Sequence, residues 1–174
     1  MIDPKALFSL SYGLYIISTG YEGKMNGQII NAMMQVTAEP ICIAACLHRD
    51  NYTTELIEKS GCFSASALGF DVEMPFIGAF GFKSGRNYDK FGNCKGWVMG
   101  ENGVPKVTEN CVAAIEAKVI SVIDVYTHKV FIGEVTSAEQ ICECKPLSYA
   151  DYHIIKKGKS PANAPSAVFN ALKL

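Results

Sequence analysis

The sequence predicts a mainly β protein, an antiparallel barrel with a few short helices. Three observations carry that prediction. The run Val112 to Val125 alternates around Glu116 and Lys118, and Val130 to Glu139 keeps the same period of two, as half-buried antiparallel strands require. Shorter runs rich in β-branched and aromatic residues come before them, separated by Gly, Pro and Asn turn residues. No strand-borne GxGxxG, Walker loop or strand-and-helix alternation is present, which disfavours a doubly wound nucleotide-binding fold. Closing such strands into a barrel removes exposed edges.

The elements follow in order. Asp3-Pro4 opens a short N-terminal helix to Leu10, with Asp3 accepting from first-turn amides and Pro4 at the first helical position. Leu14 to Thr19 is a strand, Gly20 to Lys24 a turn, and the apolar-rich run Gln28 to Val36 completes a hairpin. Pro40 breaks the chain and Ile41 to Leu47 follows as a buried strand. Asn51 caps a helix from Tyr52 to Lys59, which Gly61 stops, and Cys62 to Leu68 is another strand. Val72 to Phe82 is a weaker helix because it contains Pro75 and two glycines. Ser84 to Phe91 reads as a polar loop running into a short helical turn, long enough to be functional. The last two strands turn at Thr127-His128-Lys129. All 174 residues are expected in one domain, with 156–174 as a basic, Pro-containing tail carrying little core.

Composition narrows the function. Apolar residues make up 49% and charged residues 19%, with a net charge of -1, which argues against disorder. Lys and Arg are scattered and form no basic stripe, so no nucleic-acid partner is expected. The N-terminus lacks a basic region leading into an apolar run, and stretches such as Ile41 to Leu47 fall short of the ~20 residues of a membrane span. A cytoplasmic, membrane-free protein is expected. The seven cysteines form an odd set with no export signal and read as reduced thiols rather than a disulfide framework. Cys142-Glu143-Cys144 and the Cys42/Cys46 pair lack paired CxxC knuckles, so no metal site is predicted.

Four blocks in order carry a family resemblance: Asn26-Gly27-Gln28 through Pro40-Ile41, Asn51-Tyr52-Thr53-Thr54, Ser84-Gly85-Arg86 with Asp89-Lys90-Phe91, and Thr127 through Val135. The chain resembles the flavin reductase-like, FMN-binding split-barrel proteins over roughly residues 3 to 161. It is most similar to flavoredoxin-like and ferric-reductase-like members and to the flavin domain that some anaerobes join to a rubredoxin. The resemblance implies a Greek-key split β-barrel, bound FMN and a homodimer with FMN at the interface. No rubredoxin-type CxxC knuckles occur, so a rubredoxin or other redox protein would be a separate partner.

Residue chemistry agrees with an FMN site. Asn51, Thr53 and Thr54 at a helix N-terminus offer hydroxyls, an amide and orphan backbone donors to an anion, with a plain N-cap as the alternative. Arg86 and Lys90 would complete a phosphate site, or else form a solvated loop. Gln28, Asn31 and Gln35 lie on an apolar run where buried amides need partners, which a flavin edge would supply. By resemblance, Tyr52 and Ser84 join the cofactor-binding set. Ala32 and Met34 run beside the isoalloxazine, Cys46 and Leu47 lie against it, and His128 sits near its reactive edge. His128 and Cys46 are the catalytic candidates, and His153 is placed where it could reach a partner subunit.

The implied function is NAD(P)H-linked reduction of flavin, ferric iron or a rubredoxin-like acceptor, with NADH or NADPH as donor. An FMN electron carrier with no NAD(P)H site is the alternative. A cofactor-free binding module is the third reading.

Overall fold

The β-branched run after Gly13 forms β1 (Tyr15–Tyr21), which turns through Glu22-Gly23, both at positive φ, into β2 (Lys24–Ile30). The computed structural model describes residues 3–167, with the backbone only at Pro4 and Lys5. The short N-terminal helix expected before β1 is a 3-10 helix, Pro4–Ser9. β3 (Met33–Ala38) and β4 (Ile41–His48) form a second hairpin. Helix α1 (Tyr52–Ser60) ends where Gly61 adopts φ 69° and returns its N–H to Ile57 O. β5 (Cys62–Leu68) and α2 (Met74–Gly81) follow. A small hairpin of β6 (Trp97–Met99) and β7 (Pro105–Val107) comes next, then the long ribbon β8 (Cys111–Val125) and β9 (His128–Gln140), and finally α3 (Tyr149–Ile154).

Seven strands form one antiparallel sheet in the order β2-β1-β5-β8-β9-β4-β3. β2 and β3 lie at its two edges, yet only Asn31 and Ala32 separate them in sequence. Laid flat, seven strands would put these edges ~29 Å apart, while three Cα steps reach only ~11 Å. The sheet must therefore roll into a barrel, split between β2 and β3. The non-consecutive neighbours interleave the hairpins in a Greek-key manner rather than an up-and-down meander.

The core bears out the rolling. Ile17 on β1 and Ile43 on β4 share one buried cluster with Phe63, Ala65, Ala117 and Phe131, although β4 lies four sheet positions from β1. Only a closed lumen lets them meet. Ile57 of α1 joins this cluster, so α1 plugs the barrel. Ile16, next to Ile17 but facing the other way, packs into a second core with Ile77 and Phe80 of α2, Val107 of β7 and Tyr149 and Tyr152 of α3.

Three predicted boundaries are corrected. Gln28 to Val36 is two strands, because the chain leaves one sheet edge for the other at Asn31, where Met33 N bonds Asn31 O and Cys46 N bonds Ala32 O. The last turn is Tyr126-Thr127, with Tyr126 at φ 49°, so His128 opens β9 instead of lying in the turn. The C-terminal residues are no bare tail up to Ala167, since Ser160 and Ser166 are buried. Residues 168–174 lie outside the described part. The sequence reading also missed β6, β7 and α3.

Gly133 of β9 admits the fully buried Phe63 ring: a Cβ there would lie 2.8 Å from both Phe63 Cε1 and Ala117 Cβ. Gly133→Ala is expected to destabilise the fold by about 1–3 kcal/mol through overpacking. Urea denaturation checks this, and an unchanged midpoint would refute it.

Candidate functional site

A cavity of about 440 Å³ opens where the barrel is split, within the usual size of a small-molecule site. Its walls come from β2, the Asn31 link, the end of β4, the start of α1, the loop after α2 and the strap of residues 159–165. Gln28 and Asn31 line it on one side, and Cys46 and Leu47 on another. Asn51 and Tyr52 present the α1 N-terminus, and Ser84, Arg86 and Lys90 come from the loop.

Ala32, Met34, Gln35, Thr53, Thr54 and His128 do not line it. Thr53 and Thr54 are fully buried and spend their hydroxyls inside the protein: Thr53 Oγ1 accepts from Asn26 Nδ2 at 2.9 Å, and Thr54 donates to His48 O at 2.8 Å. These bonds lock the first turn of α1 to β2 and to the end of β4. The Asn51 side chain forms no cap bond and instead accepts from Asn163 Nδ2 at 3.4 Å, which leaves the first-turn amides of α1 uncapped. Met34 is 65% exposed on the edge strand β3, and Gln35 Nε2 donates to Thr37 O. Ala32 gives its carbonyl to Cys46.

Asn31, buried, donates to Ser166 Oγ at 2.7 Å, and Ser166 donates to Tyr149 Oη at 2.9 Å. This chain of bonds ties the strap across the split. His128 stands one layer behind the cavity, its ring 5.1 Å edge-on to His48, which does line it. His128 Nε2 meets Asn163 O at 3.2 Å and Nδ1 meets Thr127 Oγ1 at 2.8 Å. That pairing suits a neutral ring with its proton on Nε2, and burial pushes its pKa down from the usual value.

The charges on the loop differ sharply. Arg86 is spoken for: its guanidinium pairs with Glu55 at 2.7 Å and lies over the Tyr52 ring. Glu55, bonded first by Lys59 and then by Arg86, is held down to about 2. Lys90 is 5% exposed and has no carboxylate partner among the described residues. Two of its three N–H bonds go to Gly27 O at 2.7 Å and Phe80 O at 2.9 Å, which staples the end of α2 to β2. Burial lowers its pKa to about 8.

Asn26, beside it on the cavity wall, has a buried Oδ1 with no hydrogen-bond partner among the described residues. Gly85 closes over that atom, and any Cβ at residue 85 would collide with it. Sequence reading passed over Asn26, although it opens the first family-like block; a buried Asn next to Gly27 was the available signal.

The family described as "Flavin reductase like domain" matches residues 7–156. The chain belongs to the flavin reductase-like family. It is 43% identical over 163 residues to the ferric-chelate reductase (NAD(P)H) of Archaeoglobus fulgidus, covering 94% of this chain and 96% of that relative. It is 39% identical over 165 residues to the high molecular weight rubredoxin of Moorella thermoacetica, covering 95% of this chain and 72% of the relative. Flavoredoxin from Methanosarcina acetivorans shares the fold, with a TM-score of 0.69 at 23% identity over 78% of this chain and 74% of the other. The split barrel is thus the fold of flavin reductase-like proteins, and the cavity opens at the split.

The unpaired lysine has a measurable signature in this flavin reductase-like chain. Folded Lys90 titrates near 8 against a usual value near 10.5. Between those values the unfolded chain binds more protons, so stability rises with pH across that window. Below pH ~8 both states are protonated and the full burial penalty is present. Lys90→Met is expected to abolish this rise in ligand-free protein, as read by urea denaturation at pH 7.5 to 10.5. A constant difference between the two proteins would contradict it.

Proposed function

We propose that the cavity binds FMN as a resident cofactor, and that the protein uses NADH or NADPH to reduce ferric chelates, free flavin or a rubredoxin-like protein. The observation that carries the cofactor assignment is one orphan acceptor beside one unpaired cation. Among the described residues, Asn26 Oδ1 lacks a donor and Lys90 lacks an anion. A polyol phosphate, hydroxyls followed by a phosphate, satisfies both, and the ribityl phosphate of FMN has that chemistry. The residues present therefore fit the group.

The roles of the chain's own groups follow. Lys90 and the uncapped amides of α1 would hold the phosphate, since a helix N-terminus and a buried ammonium both favour negative charge. Arg86, already paired with Glu55, would add field rather than a dedicated contact. Asn26 would accept from a ribityl hydroxyl. Gln28 and Asn31 offer amides toward the polar edge of a ring system, while Cys46 and Leu47 supply a wall of low polarity beside it. When bound, FMN supplies hydride acceptance and one-electron transfer. His128, neutral and held by Asn163 O and Thr127, would act through His48 to set the hydrogen-bonding character of the mouth.

The acceptor and assembly assignments rest on less. The relative named ferric-chelate reductase supports an iron chelate as substrate, and the relative named rubredoxin supports a protein acceptor. Exposed Ile120, Ile123, Val125 and Tyr126 on the β8–β9 ribbon, with Met34, Val36 and Ile41 on the neighbouring hairpin, supply apolar surface for a second copy of the chain. Free thiols throughout are compatible with a reducing cytoplasm. No described helix is long and apolar enough to cross a membrane. A single domain from residue 1 to 174 completes the reading.

Two experiments test it. Purified protein loaded with FMN should show oxidised-flavin bands that bleach anaerobically with NADH or NADPH and recover on adding a ferric chelate. Bands that persist with both nucleotides would favour the electron carrier, and failure to take up FMN would sink the cofactor assignment. Lys90→Met should weaken FMN binding about ten- to a hundredfold, the range of one charge-assisted hydrogen bond, and leave riboflavin binding unchanged. Equal losses for both ligands would remove Lys90 from the phosphate site.

A further inference from the structure

We propose that Cys142 and Cys144 form a reversible dithiol–disulfide couple, a second redox site that exchanges with low-molecular-weight disulfides. The pair lies away from the cavity at the barrel split, in an open groove walled by Val112, Ala113, Ile115, Ala138 and Pro146. The proposal holds whether or not the chain binds FMN.

The backbone holds the two cysteines on one short anchored bend. Upstream, Ile141 N and Cys142 N both bond Val112 O, at 2.8 and 3.2 Å. Downstream, Phe70 N bonds Lys145 O at 2.8 Å, and Pro146 bridges to Gly69. Between these anchors the chain bends at Glu143. Two extended residues span at most ~7 Å between Cα atoms, so a bend brings the pair into the ~4.4–6.8 Å window of a disulfide. The two side chains are neighbours: Cys142 is the chief group pushing the Cys144 thiol up from its usual pKa, so attack runs through its minor thiolate fraction.

Exposure singles out Cys144, the one exposed thiol among the seven; Cys142 is half-buried, as are Cys46 and Cys62, whereas Cys42, Cys94 and Cys111 are buried. Cys94 and Cys111 also neighbour each other, but burial pushes their thiols up to about 11 and about 12, which leaves them unreactive. A ring closed across a single intervening residue restrains almost no chain entropy, so this disulfide would add little stability and reduce easily. That is the behaviour of a labile couple, not of a structural staple.

The exchange balances. The Cys144 thiolate attacks one sulfur of a small disulfide, its S–S bond breaks, and one thiolate leaves. Cys142, as thiolate, then attacks the Cys144 sulfur, displacing the second thiolate and forming the intramolecular S–S bond. The protein loses two electrons and two protons, and the small disulfide becomes two thiols.

The test uses the full-length chain, folded, with oxidised glutathione as the probe. Trypsin spares the Lys145–Pro146 bond, so the peptide from Val130 to Lys156 contains Cys142 and Cys144 and no other cysteine. Mass spectrometry should show this peptide lighter by two hydrogens, with its mass restored by excess reduced glutathione. Cys142→Ser should instead trap one glutathione on Cys144. The double variant Cys94→Ala, Cys111→Ala should close the same ring as the wild type. A stable glutathione adduct on wild-type Cys144, an unmodified peptide, or a cross-link from Cys142 to Cys111 would each overturn the proposal.

Discussion

Everything in this fold depends on the two residues, Asn31 and Ala32, that join opposite edges of a seven-stranded sheet. A link this short cannot cross a flat sheet, so it forces closure, and it also keeps the closure incomplete. β2 and β3 leave Asn31 in different directions and never pair with each other. The gap that results is walled by strand ends, a helix N-terminus and a loop, the places where backbone donors are free and side chains converge. Asn31 then serves a second purpose, anchoring the strap through Ser166 and Tyr149. One short segment thus sets the barrel, the split and the cover over the split.

The electrostatics of the cavity follow from how its loop is packed. Lys90 is drawn in by the carbonyls of Gly27 and Phe80, which satisfy two of its donors and bind α2 to β2. Carbonyls are dipoles and not charges, so the ammonium stays uncompensated and its pKa falls. Arg86, a few residues earlier, meets Glu55 at the surface and is neutralised there. Of Arg86 and Lys90, the buried lysine is therefore the better anion ligand, although the arginine has the geometry more often associated with phosphate.

How much of this was legible in the sequence varies with the kind of signal. The long ribbon β8–β9, the strand Cys62–Leu68 and helix α1 with its Gly61 stop were readable, because each rests on local periodicity or a local breaker. The split at Asn31 was not, because nothing local distinguishes a strand that continues from one that changes edges. α3 and the strap were missed for a related reason: Tyr149, Tyr152, Ser160 and Ser166 gain their burial from distant partners in a segment whose composition reads as a basic tail. At the site, Gln28, Asn31, Cys46, Leu47, Asn51, Tyr52, Ser84, Arg86 and Lys90 line the cavity and were named by resemblance together with polar residues on apolar runs, whereas His48 and Lys83 were not named. Thr53 and Thr54 show the limit of that reasoning. Their position at a helix start was right, but burial turned their hydroxyls inward, and the unsatisfied atom belongs to Asn26, which Thr53 orients.

The central claim is that a buried, uncompensated lysine waits for a phosphate. Isothermal titration calorimetry of FMN binding at pH 8.5 to 9, repeated in buffers of different ionisation enthalpy, tests it most directly. A phosphate dianion set against Lys90 raises its pKa, so FMN should bind with uptake of a fraction of a proton, and riboflavin should bind with none. Uptake that is absent for FMN, or equal for both ligands, would contradict the account.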